Sequence, residues 1–224
     1  MSQLAILTDT PQSGDIHDTP YGASAPIGRL KFNDQSILVC SPTNADPRAT
    51  IQALEDLGTT HLWLCESVGS LSPLLEVGDW VVADDYIDGT RGQHYTYFSE
   101  KAGGYVQQVP PFDPVSREAI IRTPPPSLLP ASDGGGRLFK RGVYVCVSNT
   151  RLETPAEAAF WSRAGGHIVG RYLSPYLTLA RELDMQVAVL AQVRREGGLR
   201  GETFDFKAYI PIISQAWVAL TSLG

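Results

Sequence analysis

The side chains most able to do chemistry unaided are few, and their spacing excludes most of what they could do. Cys40, Cys65 and Cys146 lie far apart, each inside an apolar run. That pattern suits neither a disulfide framework nor a zinc site, and reads as buried thiols in a reducing cytoplasm. His61, His94 and His167 show no metal-like spacing, so no metal or other cofactor is implied. His61 and His167 open strand-like runs and read as structural residues with satisfied ring nitrogens. Lysines and arginines are scattered singly in a chain of formal charge −6. Nothing there would track a phosphate backbone, so no nucleic-acid partner is expected.

The elements that must hold any site follow from the apolar pattern. With 224 residues, 43% of them hydrophobic, the chain has enough for one sizeable core and too little for two full α/β domains. No apolar run approaches the roughly 18–20 residues a membrane helix needs, and no basic stretch with an apolar h-region opens the chain. The expectation is one soluble cytoplasmic domain over residues 1–224, with no membrane partner. Leu4–Leu7, Ser36–Cys40, His61–Cys65, Trp80–Ala83, Gly142–Val147, His167–Val169 and Gln186–Leu190 read as interior strands covered on both faces. Asp46–Leu57 reads as a helix capped by Asp46, with Pro47 at its first position and Ile51, Leu54 and Leu57 on one face. Pro155–Ala164 after Thr154, Pro175–Leu183 after Ser174, and Ala208–Leu220 read as three more. Strands alternating with helices predict an α/β layer fold. Thr123–Gly136, rich in Pro, Ser and Gly, reads as a surface loop, and Ser99–Gln108 as a second excursion.

Five blocks then carry a resemblance. They are Glu66–Leu71 running into LSPLLEVGDWVVADDYIDGT, PPFDPVSRE at Pro110–Glu118, GVYVCVSNTRLETPAEA at Gly142–Ala158, GGHIVGRYLSPYLTLARELDM at Gly165–Met185, and Thr19-Pro20-Tyr21-Gly22. In order and spacing they resemble the nucleoside phosphorylase family, in its trimeric branch of purine nucleoside and methylthioadenosine phosphorylases. The resemblance implies one α/β domain around a twisted mixed sheet, a homotrimer, and a small-molecule substrate cleaved at its N-glycosidic bond by phosphate.

The positions matching the family's site are altered. Leu7–Asp15 corresponds to the glycine-rich phosphate turn, yet carries Asp9 and Pro11, leaving Thr10 as the one phosphate-side hydroxyl. The Arg-His pair after the second strand is missing, and Arg48, with Thr50 beside it, is the nearest replacement. Glu66 stands at the phosphate-side threonine and Ser67 at the following alanine. A carboxylate about 4 Å from phosphate repels it by several kcal/mol in a low dielectric. Leu152 replaces the base-stacking aromatic, Arg171-Tyr172 the Met-Thr under the sugar, Tyr176 a glutamate, and Arg195 the acid at the purine. An arginine cannot give up its proton at neutral pH. The resemblance brings His94, with Tyr95 and Tyr97, toward a neighbouring subunit's pocket.

Three readings follow. In the first, the pocket is rebuilt for a nucleoside-like or other small organic anion: Glu66 and Arg195 are catalytic, and Ser67, Leu152, Arg171, Tyr172, Tyr176 and His94 bind substrate. In the second, a diverged phosphorylase holds phosphate with Thr10 and Arg48. In the third, a Glu66–arginine salt bridge plugs the site of a non-catalytic trimer. Gly78-Asp79, Pro111-Phe112 and Arg117-Glu118 read as turn and interface residues.

Overall fold

Alternating burial is visible from the first strand: Leu4 and Ile6 face one apolar layer, Ala5 and Leu7 the other. The computed structural model describes residues 2–32, 35–42, 44–94, 96–98, 105–123, 136–148, 151–199, 201 and 206–222. The strands are β1 (Leu4–Thr8), β2 (Asp18–Thr19), β3 (Gly22–Ala23), β4 (Ile27–Phe32), β5 (Gln35–Cys40), β6 (His61–Ser70), β7 (Trp80–Val82), β8 (Asp85–Asp88), β9 (Leu138–Phe139), β10 (Val143–Cys146), β11 (Ile168–Gly170) and β12 (Gln186–Glu196). The helices are α1 (Pro47–Asp56), α2 (Pro114–Ile121), α3 (Pro155–Arg163), α4 (Tyr176–Glu182) and α5 (Ile210–Thr221), the last preceded by a 3₁₀ turn at Phe206–Ala208.

Among the described residues, ten strands form one mixed sheet in the order β4-β5-β1-β6-β11-β10-β8, with β12, β7 and β9 continuing from the other edge of β6. Helices α1 and α4 cover one face through Ile51, Leu54, Leu177 and Leu179. Helices α2 and α5 cover the other through Ile120, Ile212, Ile213 and Trp217. The α/β fold expected from the sequence is the fold observed. Asp46 caps α1, accepting from the Arg48 N–H at 2.9 Å. Thr154 caps α3 in a capping box completed by Glu157.

Several expectations need correction. Strands β6 and β12 run to Ser70 and Glu196, well past Cys65 and Leu190, because they pair with each other along their whole lengths. Polar Glu66, Ser67 and Arg195 therefore lie on strands. Ser174 is not the cap of α4: its hydroxyl donates to Asp88 Oδ2 at 2.6 Å, and the helix starts at Tyr176 with no side-chain cap. Strands β4 and β8 and helix α2 were not anticipated. Phe112 is core, Asp79 is held by Arg137, and Arg117 caps the carbonyls of Ala83 and Lys140. His167 Nδ1 accepts from Val143 N–H, and the His61 ring meets Thr60 Oγ1 and the edge of Trp217. All three cysteines are free and buried, and burial lifts the Cys40 thiol to about 12. No described helix is long and apolar enough to cross a membrane. Residues 124–135 of the Pro/Gly loop, 99–104 of the second excursion, and Tyr95 lie outside the described residues.

Candidate active site

The sheet is split beside β6. Strand β1 pairs with it in parallel from His61 to Cys65, and β11 pairs antiparallel at Gly69 and Ser70 on the same edge. Between them Glu66, Ser67 and Val68 have no strand partner on that side among the described residues. Because β1 and β11 approach from opposite ends, both finish at this gap, delivering Asp9 from one and Arg171-Tyr172 from the other. A crevice at the carboxyl ends of strands is where open α/β sheets place ligands. Strand β12 closes the far edge, with a bulge at Arg194 between Val193 and Arg195 that re-aims both arginines. The resulting cavity holds about 250 Å³ and is lined by Asp9, Glu66, Ser67, Val68, Leu152, Arg171, Tyr172, Arg194, Arg195 and Gly201.

Glu66 is 2% exposed. Its Oε2 accepts from the Tyr144 hydroxyl and its Oε1 from the Arg171 N–H at 2.8 Å. Tyr144 reaches it only because residue 170 is glycine: a Cβ there would lie 2.1 Å from the tyrosine oxygen. Tyr209 donates to the Glu66 carbonyl at 2.6 Å and accepts from Gln192 N–H, clamping β6 to β12 at this residue. Burial, then the neighbouring Asp9 charge, push the Glu66 carboxyl up to about 7 against these hydrogen bonds. Asp9 Oδ2 accepts from both the N–H and the hydroxyl of Ser67. Burial raises the Asp9 carboxyl above its ordinary value. Its Oδ1 is buried with no hydrogen-bond partner among the described residues.

The arginine wall is built differently. Arg195 Nη1 pairs with Glu153 Oε1, and Nη2 lies 3.4 Å from Oε2. The Arg171 side chain approaches the same carboxylate at 3.6 Å, and Gly198 N–H donates to it at 2.8 Å. Burial would raise Glu153, but the Arg195 and Gly198 hydrogen bonds hold it below its ordinary value. Gly69 leaves the passage: a Cβ there would sit 2.5 Å from Arg195 Nη1. Glu153 stands behind the two arginines, lining a second cavity of about 270 Å³.

Six expected residues, Glu66, Ser67, Leu152, Arg171, Tyr172 and Arg195, therefore meet around one cavity. The arginines do not plug it by pairing with Glu66, since their shared carboxylate is Glu153. Tyr176 lies in an apolar layer with Leu62, Leu64 and Leu177, and His94 is exposed and does not line the cavity of its own chain. Arg48 is bound to Asp46 at 2.7 Å and stacked on the Tyr21 ring. Thr10 is half-buried outside the cavity lining, and Thr50 Oγ1 accepts from Ala25 N–H. Glu153, Tyr144 and the place of Asp9 in the cavity lining were missed. Glycines at 69 and 170 were the available signals, because each clears space for a buried polar side chain. Among the described residues no group of acidic, His or Cys side chains could hold a metal.

Residues 15–210 match the Phosphorylase superfamily. The chain is 35% identical over 152 residues to S-methyl-5'-thioadenosine phosphorylase of Thermofilum pendens, covering 68% of this chain and 55% of that one. It is 33% identical over 184 residues to a probable S-methyl-5'-thioinosine phosphorylase of Methanothermobacter thermautotrophicus, covering 78% and 61%. It is 30% identical over 213 residues to 6-oxopurine nucleoside phosphorylase of Pyrococcus furiosus, covering 88% and 78%. The chain thus spans little more than half the length of the first two. Its fold superposes on a mutant adenosine/methylthioadenosine phosphorylase of Schistosoma mansoni with a TM-score of 0.83 at 23% identity, covering 100% and 92%. Split sheet, matched blocks and relatives agree, and the chain belongs to the nucleoside phosphorylase family, in the branch of methylthioadenosine and purine nucleoside phosphorylases.

Proposed function

We propose that this cavity cleaves the N-glycosidic bond of a nucleoside-like substrate with water instead of phosphate, and that Glu66 is the base that activates the water. The observation that carries this is the Glu66 carboxyl itself. It lines the cavity, is held by neutral donors rather than by a cation, and titrates near neutrality. A base is most effective when its pKa lies near the working pH. In the step, the water oxygen bonds to C1′ and its proton passes to Glu66. The C1′–N bond breaks with its electron pair going to the departing ring. Asp9, braced by Ser67, lines the same cavity and accepts a hydrogen bond from a sugar hydroxyl there. Leu152 gives the ring an apolar wall. Glu66, buried where the family has its phosphate-side threonine, disfavours a phosphate dianion directly beside it, and Arg48, the candidate phosphate cation, is already engaged by Asp46.

The test is base release, read by chromatography, from methylthioadenosine, adenosine, inosine and guanosine with and without phosphate. Release that does not depend on phosphate is expected, and release only with phosphate would restore the diverged phosphorylase. The resemblance also supports a trimer in the cytoplasm. Light scattering on the purified chain checks the trimer, and a single-subunit mass would remove it.

A further inference from the structure

We infer that the ring leaving this site is acidic, a heterocycle carrying a carboxylate or an ionised oxo group, and that Arg171 and Arg195 hold it as an anion. The inference rests on the hydrolytic reading above and names the substrate class for that site. Its first support is a charge count. Two guanidinium groups share one carboxylate, Glu153, so that carboxylate alone does not neutralise both. The side chains are 17%, 9% and 1% exposed for Arg171, Arg195 and Glu153, so water screens that charge poorly. Its second support is direction. Both arginines line the inner cavity whereas Glu153 lies behind them, so the cavity meets the cations and not their counter-charge.

The third support is chemical. When C1′–N breaks, the ring receives the electron pair and must be protonated or stabilised as an anion. An arginine cannot donate its proton at neutral pH, but its planar fork pairs with an oxyanion or carboxylate. A ring of low pKa needs no acid to depart. Leu152 beside the pair supplies an apolar surface, and Glu66 stays free for water because Tyr144 and the Arg171 N–H occupy its oxygens without neutralising it.

Binding and turnover are read separately. Calorimetry at pH 8 compares orotate with uracil, and urate with hypoxanthine, on the purified chain. The anionic ring is expected to bind at least about tenfold tighter in each pair, the worth of one charge-assisted hydrogen bond. R171Q is expected to abolish that preference, and R171K to retain part of it. Equal affinity within both pairs, no binding of either anion, or a preference that survives R171Q would overturn the inference. Hydrolysis of orotidine against uridine, and of xanthosine against inosine, separates the two proposals. Tight binding of orotate and urate with no riboside cleaved removes the hydrolytic function alone. Cleavage of uridine and inosine as fast as their acidic counterparts removes the acidic leaving group alone.

Discussion

Glu66 and Glu153 are buried within the same corner of the fold, yet their surroundings are opposite in kind. Glu66 sits in the gap of the sheet, bound by a phenol and a backbone N–H, and is held near neutral pKa. Glu153 lies behind the cavity wall, bound to two arginines, and is held low. A carboxylate whose donors are neutral keeps its proton exchangeable. One whose donors are guanidinium groups is a fixed charge, and its removal strands theirs. The difference teaches that two buried acids in one corner can differ in kind, one raised to about 7 among neutral donors and the other held low as a counter-charge to arginines, and the first is the one we propose as the base.

The sharpest way to break the comparison is E66Q. It should lower base release by about 10²–10⁴-fold, the usual worth of a general base, while the fold survives, because the amide oxygen can accept from the Arg171 N–H and the amide NH2 can donate to the Tyr144 oxygen. A variant with undiminished release would remove Glu66 from the chemistry. E153Q should do the reverse. Leaving Arg195 and Arg171 buried without their anion should destabilise the fold by about 3–5 kcal/mol, read by urea unfolding. The paired change E153L with R195M should recover most of that loss. If E153Q is as stable as the parent, the two carboxylates are not different in kind.

Acidity separates them again. Glu66 titrates near 4.5 when unfolded and near 7 when folded, so between those values the folded state binds the extra proton. Its contribution to stability is full below about 4.5 and is lost as the pH rises through 7, on the order of 3 kcal/mol. The stability difference between parent and E66Q should therefore shift against the parent from pH 5 to pH 8. Glu153, held low, behaves oppositely: its contribution is present above its unfolded value and disappears as pH falls through the folded one. A smaller effect belongs to Tyr144. Y144F removes one donor to the Glu66 carboxylate, and should raise the pH at which activity appears by about one unit. An unchanged pH profile would show that the phenol does not tune Glu66.

Much of this arrangement was legible because apolar runs and caps are local signals. Leu4–Thr8, Asp46 before Pro47, and Thr154 before Pro155 announce their elements within a few residues. The second halves of β6 and β12 were not legible. Glu66, Ser67 and Arg195 look like loop residues, and only pairing between strands more than 100 positions apart makes them strand. The six cavity residues followed from the resemblance, whereas the Glu153 pairing joins positions 153, 171 and 195 through a bulge and the notch at Gly69. No local pattern encodes that. The start of α4 failed for a similar reason: Ser174 is a good cap by type, but Asp88 from β8 claims its hydroxyl.

The smallest expected effect falls outside both carboxylate regions, at Arg48. By type and position it is the one cation that could replace the family's missing Arg-His pair. In the structure its guanidinium is bonded to Asp46 at 2.7 Å and lies 5.1 Å from the centre of the Tyr21 ring, and its carbonyl accepts from the Tyr97 hydroxyl. Those contacts fasten the start of α1 to its neighbours, and the pair is about one-fifth exposed. R48A should therefore cost at most about 1 kcal/mol of stability and leave the rate of base release the same with and without phosphate. A phosphate-dependent rate in the parent that vanishes in R48A would place a phosphate beside α1, and would move the reacting centre away from Glu66.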